Sequence, residues 1–293
     1  MPDRLTAILK KVRRIELATR GIVRAAVGGE YHSSFKGQGI DFDDFREYQA
    51  GDEVRSIDWN VTARMGLPFI KKFVEERELT VFLVVDVSAS KNFGGQDQSK
   101  RELAAEIAAT FAFSAIHNQD KVGLLLFSDQ PELFLAPRKG STHCLRLIRE
   151  ILYCQPQSSR TDIAAALDRL TRHLPRRCLV VLISDFIAPT FERSLKVAAV
   201  RHDVVAVQIS DAAEQTLPDV GWMRLEDPES GELLQVQTSS RRVRLTYQDR
   251  RLRWQQALDQ TFKTAGVDKI DLQTDSNYVP ALHAFFKRRA ARR

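Results

Sequence analysis

Cysteine is scarce in this sequence. Only Cys144, Cys154 and Cys178 occur among 293 residues, an odd and scattered set. A disulfide framework needs even, regularly spaced cysteines, so a reduced thiol state and a cytoplasmic setting are expected. Long apolar runs are missing as well. The longest, Val81 to Val85 and Leu179 to Ile183, fall far short of the roughly 20 residues that a spanning helix needs. The first residues alternate basic and apolar positions, with no continuous apolar stretch or small-residue cleavage site, so no signal peptide is expected. The histidines at 32, 117, 143, 173, 202 and 283 show no ligand spacing. Neither a Gly-x-Ser-x-Gly elbow nor a Walker loop is present. Internal repeats and low-complexity segments are lacking too.

What the chain does have is a globular balance, with 43% apolar and 28% charged residues. Its net charge is +6, with a pI near 9.3, and that charge is uneven. Segments 1–24, 241–253 and 287–293 are each strongly basic, which leaves the remaining body mildly acidic. Basic ends of this kind suit solvated helix faces, or peripheral contact with an anionic membrane surface. Nucleic-acid recognition is not expected, because no binding motif is present and only Tyr247 and Trp254 lie near the basic clusters.

Leu5, Ile8, Leu9, Val12 and Ile15 recur at helical spacing and predict an amphipathic helix over about 4–25. Gly28, Gly29, Gly37 and Gly39 then punctuate a loop. Residues 40–78 read as a small irregular subdomain. From residue 79 the pattern becomes regular. Strand-like runs end near Asp86, Ser128, Ser184 and Ser210, with helices expected at about 100–117, 142–153, 162–173 and 190–201. Apolar, β-branched strands alternating with helices indicate a mainly parallel sheet covered on both faces. Phe134 marks a short antiparallel edge strand. Leu225 to Val236, broken by Asp227-Pro228-Glu229-Ser230-Gly231, reads as a hairpin. A long helix (about 244–265), a strand (267–273) and a last helix (279–290) close the pattern.

In open α/β sheets the functional groups gather at the carboxyl ends of the strands. Asp86 ends one strand, and period-two spacing places Asp86, Ser88 and Ser90 on one side if the chain stays extended. Asp185 ends another strand, and Thr161 with Asp162 follows Ser158-Ser159-Arg160 in a loop that faces the same rim. Asp86, Ser88, Ser90, Thr161 and Asp185 form an all-oxygen set with few carboxylates. Such a set suits a hard divalent ion, Mg²⁺ first and Mn²⁺ second. With so few carboxylates the ion keeps unspent charge and takes one more acidic ligand from outside. Asp162 is expected to be a helix N-cap. Arg46, Asp52, Glu53, Arg55 and Asp58 read as a structural ion-pair network, and the cysteines as core.

The pattern Asp86-x-Ser88-x-Ser90, Thr161, Asp185 resembles the metal-ion-dependent adhesion site of von Willebrand factor A domains. Residues 39–48, 51–59 and 62–64, with Asp120-Lys121-Val122-Gly123, Ser184-Asp185-Phe186 and Asp211-x-x-Glu214, resemble the domain-of-unknown-function-58 family. The resemblance covers about residues 37–225. It implies a Rossmann-like von Willebrand factor A domain, α/β with a mainly parallel central sheet flanked by helices, plus a small N-terminal β/irregular subdomain. The parts expected are a basic helix (1–30), the subdomain (31–78), and the α/β domain (79–293) with a hairpin insertion at about 213–240. The family is bacterial and linked to MoxR-type AAA+ ATPases. A non-enzymatic, metal-dependent protein-binding role in assembly or chaperone-like maturation is therefore implied, with such an ATPase or its client as partner.

Lys91 and Arg160 stand where the family often has Met and Gly. Each repels a divalent ion by roughly 1 kcal/mol at about 8 Å through water, and by less after screening. Alternatively, both grip the partner's carboxylate. Two other readings stay open. One is a Mg²⁺-dependent phosphoryl-transfer enzyme with Asp86 as nucleophile, although Ser88 stands where such enzymes place a second acid. The other is a metal-free constitutive scaffold.

Overall fold

The computed structural model describes residues 2–23, 40–75, 79–89, 98–274 and 276–292. The glycine-punctuated loop, Ser90 and Lys91 lie outside the described residues. The chain divides into two compact units, Phe35–Leu79 and Met1–Ser34 with Thr80–Arg293.

In the smaller unit, β1 (Ile40–Glu47) pairs antiparallel with β2 (Phe69–Glu75), the register shifting between Phe42 and Asp44. A short helix α2 (Trp59–Met65) lies between them. Asp58 starts it by accepting from the amides of Asn60 and Val61, and Gly66, at φ 76°, ends it in the left-handed region. Asp58 is thus a helix cap. Of the expected five-residue network, Arg46 and Asp52 form a pair, joined by two contacts of 2.8 and 2.7 Å.

The larger unit holds a six-stranded sheet. Its strands are β3 (Thr80–Asp86), β4 (Lys121–Phe127), β5 (Pro131–Arg138), β6 (Leu179–Ser184), β7 (Asp203–Ser210) and β10 (Asp268–Gln273). Their order is β10-β7-β6-β3-β4-β5. All neighbours run parallel except β5, which pairs antiparallel with β4 at one edge. This is the mixed, mostly parallel α/β sheet that the apolar runs predict. Val81 to Val85 and Leu179 to Ile183 are almost fully buried, because both faces of a parallel sheet carry helices.

One face is covered by α5 (Ile163–His173), α6 (Glu192–Arg201) and the C-terminal half of α7 (Arg241–Ala265). Their Leu167, Leu170, Leu195 and Phe262 pack on Phe82, Val84, Phe127 and Leu182. The opposite face takes α3 (Lys100–His117), with α4 (Ser141–Tyr153) and α1 (Pro2–Ile22) packed on it. Helix α3 is buried nearly all round, and its alanines let neighbours approach on every side. Helix α1 contributes Val12 and Ile15 to that layer, and its Arg20 lies 5.1 Å from the Phe113 ring centroid. Helix α8 (Val279–Ala291) follows β10 and sets Phe286 against Phe111. A last hairpin, β8 (Trp222–Glu226) with β9 (Leu233–Gln237), stands apart from the sheet.

The strand edges are guarded. β5 carries Pro131 and Pro137, and β10 carries Asp268, Lys269 and Asp271, with Lys269 paired to Asp271 at 2.8 Å. All three cysteines are free thiols. Burial pushes the thiols of Cys144 and Cys178 up to about 12. For a group raised on folding, stability is fully present below its unfolded value, here 9.0, and is lost as pH rises towards about 12. Urea unfolding at pH 8 and pH 10.5 is expected to show a smaller drop when both residues become alanine. An equal drop in both proteins would contradict this burial.

Candidate functional site

Strand β3 is where the chain order of the sheet reverses, with β4 on one side and β6 on the other. The carboxyl ends of β3 and β6 therefore meet at a topological switch point, where open α/β sheets bind ligands. Asp86 ends β3 and Asp185 follows β6, and both are almost fully buried.

Each carboxylate is oriented by its neighbours. Asp86 accepts from the Ser88 amide at Oδ1 (3.0 Å) and from the Ser184 hydroxyl at Oδ2 (2.7 Å). The Val87 amide still donates to the Phe127 carbonyl of β4 at 2.8 Å, and the Ser88 contact then bends the chain at Ser88 away from its strand. Period-two spacing therefore does not place Ser88, although it is buried beside Asp86. The local hydrogen bond to a strand-end carboxylate wins over extension. Ser184 Oγ also accepts from the Phe186 amide at 3.0 Å. Phe186 sits at φ 61°, a conformation costing a bulky residue about 1–3 kcal/mol. Its ring is fixed edge-on against Phe262, with centroids 4.9 Å apart.

Asp185 accepts from the Ile187 amide at Oδ1 (3.2 Å) and from Lys100 at Oδ2 (3.3 Å). Lys100 is the first residue of α3, placed by a capping box between Ser99 and Glu102. Its side chain is wholly buried, and its ammonium also contacts Glu214. Glu214 in turn belongs to a capping box with Asp211, so the expected Asp211-x-x-Glu214 motif serves to aim a carboxylate at Lys100. Arg101 donates to the Val87 carbonyl at 3.0 Å; burial lowers its pKa while the Asp86 charge acts against that.

The loop before α5 supplies Thr161, almost fully buried, and Asp162, which caps that helix by accepting from the Ala165 amide (2.9 Å). The loop is tied to the β3 end by the Ala89 amide, which donates to the Ser159 carbonyl at 3.1 Å. Arg160 is exposed beside it, its amide donating to Ser158 Oγ at 3.2 Å. Asp86, Ser88, Thr161 and Asp185 thus share one rim, and Ser90 and Lys91 follow Ala89 outside the described residues.

Thr161 brings in a residue of the polar turn 227–231. Its hydroxyl donates to Glu229 Oε1 at 2.7 Å, and Ser159 Oγ donates to the Glu229 carbonyl at 2.7 Å. Glu229 lies at the tip of the β8–β9 hairpin. Burial raises its pKa, and the charges of Asp86 and Asp185 add to that rise, against the Thr161 hydrogen bond. Neither Lys100 nor Glu229 stands out by local spacing, because their contacts to Asp185 and Thr161 span 85 and 68 residues.

The donor chemistry fits a hard divalent cation. Carboxylate and hydroxyl oxygens are its preferred ligands; of the carboxylates Asp86, Asp185, Glu214 and Glu229, Lys100 pairs with Asp185 and Glu214, and Arg160 stands exposed in the Thr161 loop. Among the described residues no three His, Cys, Asp or Glu side chains converge as a cage, so an ion held here would need hydroxyls and water to fill its shell.

Fold and rim together define an open-sheet α/β protein with a cluster of oxygen donors at its topological switch point. Residues 44–257 match the model described as "Protein of unknown function DUF58", and the chain belongs to that family. The uncharacterized protein Rv1480 of Mycobacterium tuberculosis is 36% identical over 223 residues, spanning 75% of this chain and 70% of its own length. Among solved structures, BatB of Bacteroides thetaiotaomicron aligns with a TM-score of 0.45 and 16% identity, over 73% of this chain and 99% of its own. The SpRpn10 VWA domain aligns with a TM-score of 0.39 and 10% identity, over 72% and 95%. No helix among the described residues is long and apolar enough to cross a membrane.

Proposed function

We propose that this rim is a metal-dependent protein-binding site. Mg²⁺, with Mn²⁺ as substitute, is held by Asp86, Ser88, Thr161 and Asp185 with Ser90, and an acidic side chain of a protein partner completes its shell. The chain then acts as a non-enzymatic binding module. By the resemblance of residues 39–64, its partner is a MoxR-type AAA+ ATPase or a client of one, met in the cytoplasm during assembly or maturation of a protein complex. Lys91 and Arg160 grip the incoming carboxylate.

The observation that carries this reading is the meeting of two buried, hydrogen-bonded carboxylates and the Thr161 loop at the sheet's switch point. Buried carboxylates are costly unless a cation or donors compensate them. Thermal unfolding with and without Mg²⁺ or Mn²⁺, on the wild type and on Asp86→Ala, tests it. An ion at one hundred times its Kd adds about 2.7 kcal/mol of stability. A metal-dependent rise in the wild type and none in Asp86→Ala is expected. No rise in either protein would overturn the metal role and turn attention to residues 39–64 as a metal-free contact surface.

A further inference from the structure

The hairpin formed by β8 and β9 has two unlike ends. Its base is fastened: the Thr238 amide donates to the Gly221 carbonyl at 2.7 Å, and Arg244 pairs with Asp219 at 2.9 Å. Its arms bury little, with Trp222 71% and Leu234 61% exposed. Segments with so few buried apolar contacts open at low free-energy cost.

The tip, by contrast, is built to present one group. Asp227 Oδ1 accepts from the Glu229 amide (2.9 Å), its Oδ2 accepts from Ser230 Oγ (2.8 Å), and its carbonyl accepts from the Gly231 amide (2.8 Å). Gly231, at φ 72°, lets the chain return into β9. This internally bonded turn holds Glu229 out, and the hydroxyls of Ser159 and Thr161 hold it by backbone and side chain on the rim. The charges of Asp86 and Asp185 oppose that of Glu229, and Lys100 is already taken up by Asp185 and Glu214, so a further cation on the rim would favour Glu229 there.

We propose that the hairpin is the site's built-in occupant: Glu229 takes, from within the chain, the place that an acidic side chain of a partner takes. Partner engagement is then an exchange of one carboxylate for another, which frees the tip from the rim as the weakly packed arms swing away. The partner it fits is an acidic peptide segment able to outcompete a tethered glutamate. This inference rests on the metal-dependent reading above.

Mn²⁺ titrations followed by electron paramagnetic resonance and water-proton relaxation test it, on the wild type, Glu229→Gln and Asp86→Ala. Amide hydrogen exchange over residues 222–237, with and without Mg²⁺, supplies a second readout. Wild type and Glu229→Gln are both expected to bind Mn²⁺, with higher relaxivity in Glu229→Gln because water fills the vacated position. Mg²⁺ is expected to slow exchange over the hairpin by about tenfold or more in the wild type and not in Glu229→Gln. Equal relaxivity and a hairpin indifferent to Mg²⁺ in both proteins would overturn the inference and leave the metal reading standing. No Mn²⁺ binding in either would overturn the metal reading, and the inference with it.

Discussion

Replacing Lys100 by alanine is expected to destabilise the protein by about 3–5 kcal/mol, the usual cost of removing one partner from a buried ion pair. The ammonium is wholly buried and lies between Asp185 and Glu214, with Asp185 itself 1% exposed. Truncation removes the positive charge and leaves Asp185 in an environment that solvates it poorly, while Glu214 is partly exposed to water. Urea unfolding should show a lower midpoint at an unchanged slope, since the surface exposed on unfolding hardly alters. Lys100→Met keeps most of the volume and should fall nearly as far. Combining it with Asp185→Asn should recover part of the loss, because the charge left behind is then gone. A loss under about 1 kcal/mol for Lys100→Ala would show that the pair is solvated as surface pairs are.

Gly123→Ala is expected to cost about 3 kcal/mol, at the upper end of what overpacking causes. Gly123 lies on β4, and a Cβ there would fall 2.4 Å from Phe82 Cε2 and 2.6 Å from its Cδ2, with Pro137 Cγ at 3.1 Å. The Phe82 ring is fully buried, with Phe134 at 5.3 Å between centroids, so it has no room to retreat. Shortening the ring by Phe82→Leu in the same chain should make the double variant more stable than the sum of the single losses implies. Strict additivity would mean that the ring moves aside freely.

Much of this architecture is legible in the sequence, and the reason is physical. Val81 to Val85 and Leu179 to Ile183 are apolar at every position because helices cover both faces of their strands. The four helices expected between residues 100 and 201 stand within two residues of their expected limits, since their apolar spacing and punctuation are local signals. The N-cap role of Asp162 is local as well. The site was legible only where strand ends announce it, at Asp86 and Asp185. The turn at Ser88 was not, because a side-chain contact to a backbone amide leaves no periodic trace. Lys100 looked like any helix-opening lysine, and Glu229 like any residue of a polar turn. What gives them their places is tertiary: a capped helix start facing β6 and a hairpin reaching across the Thr161 loop.

The guarded strand ends of the sheet have a bearing on how this chain behaves among its own copies. An outer strand with free amides and carbonyls is a template on which another chain can zip, the first step toward aggregates. Here the prolines of β5 withdraw donors from one margin, and Pro137 falls where the ladder to β4 breaks register opposite Gly123. The other margin ends in alternating charges, with Asp268 gripped by Arg289 at 2.7 Å. Neither margin offers a clean run of backbone for growth. Each sheet therefore stays six strands wide when many copies of the chain are crowded together.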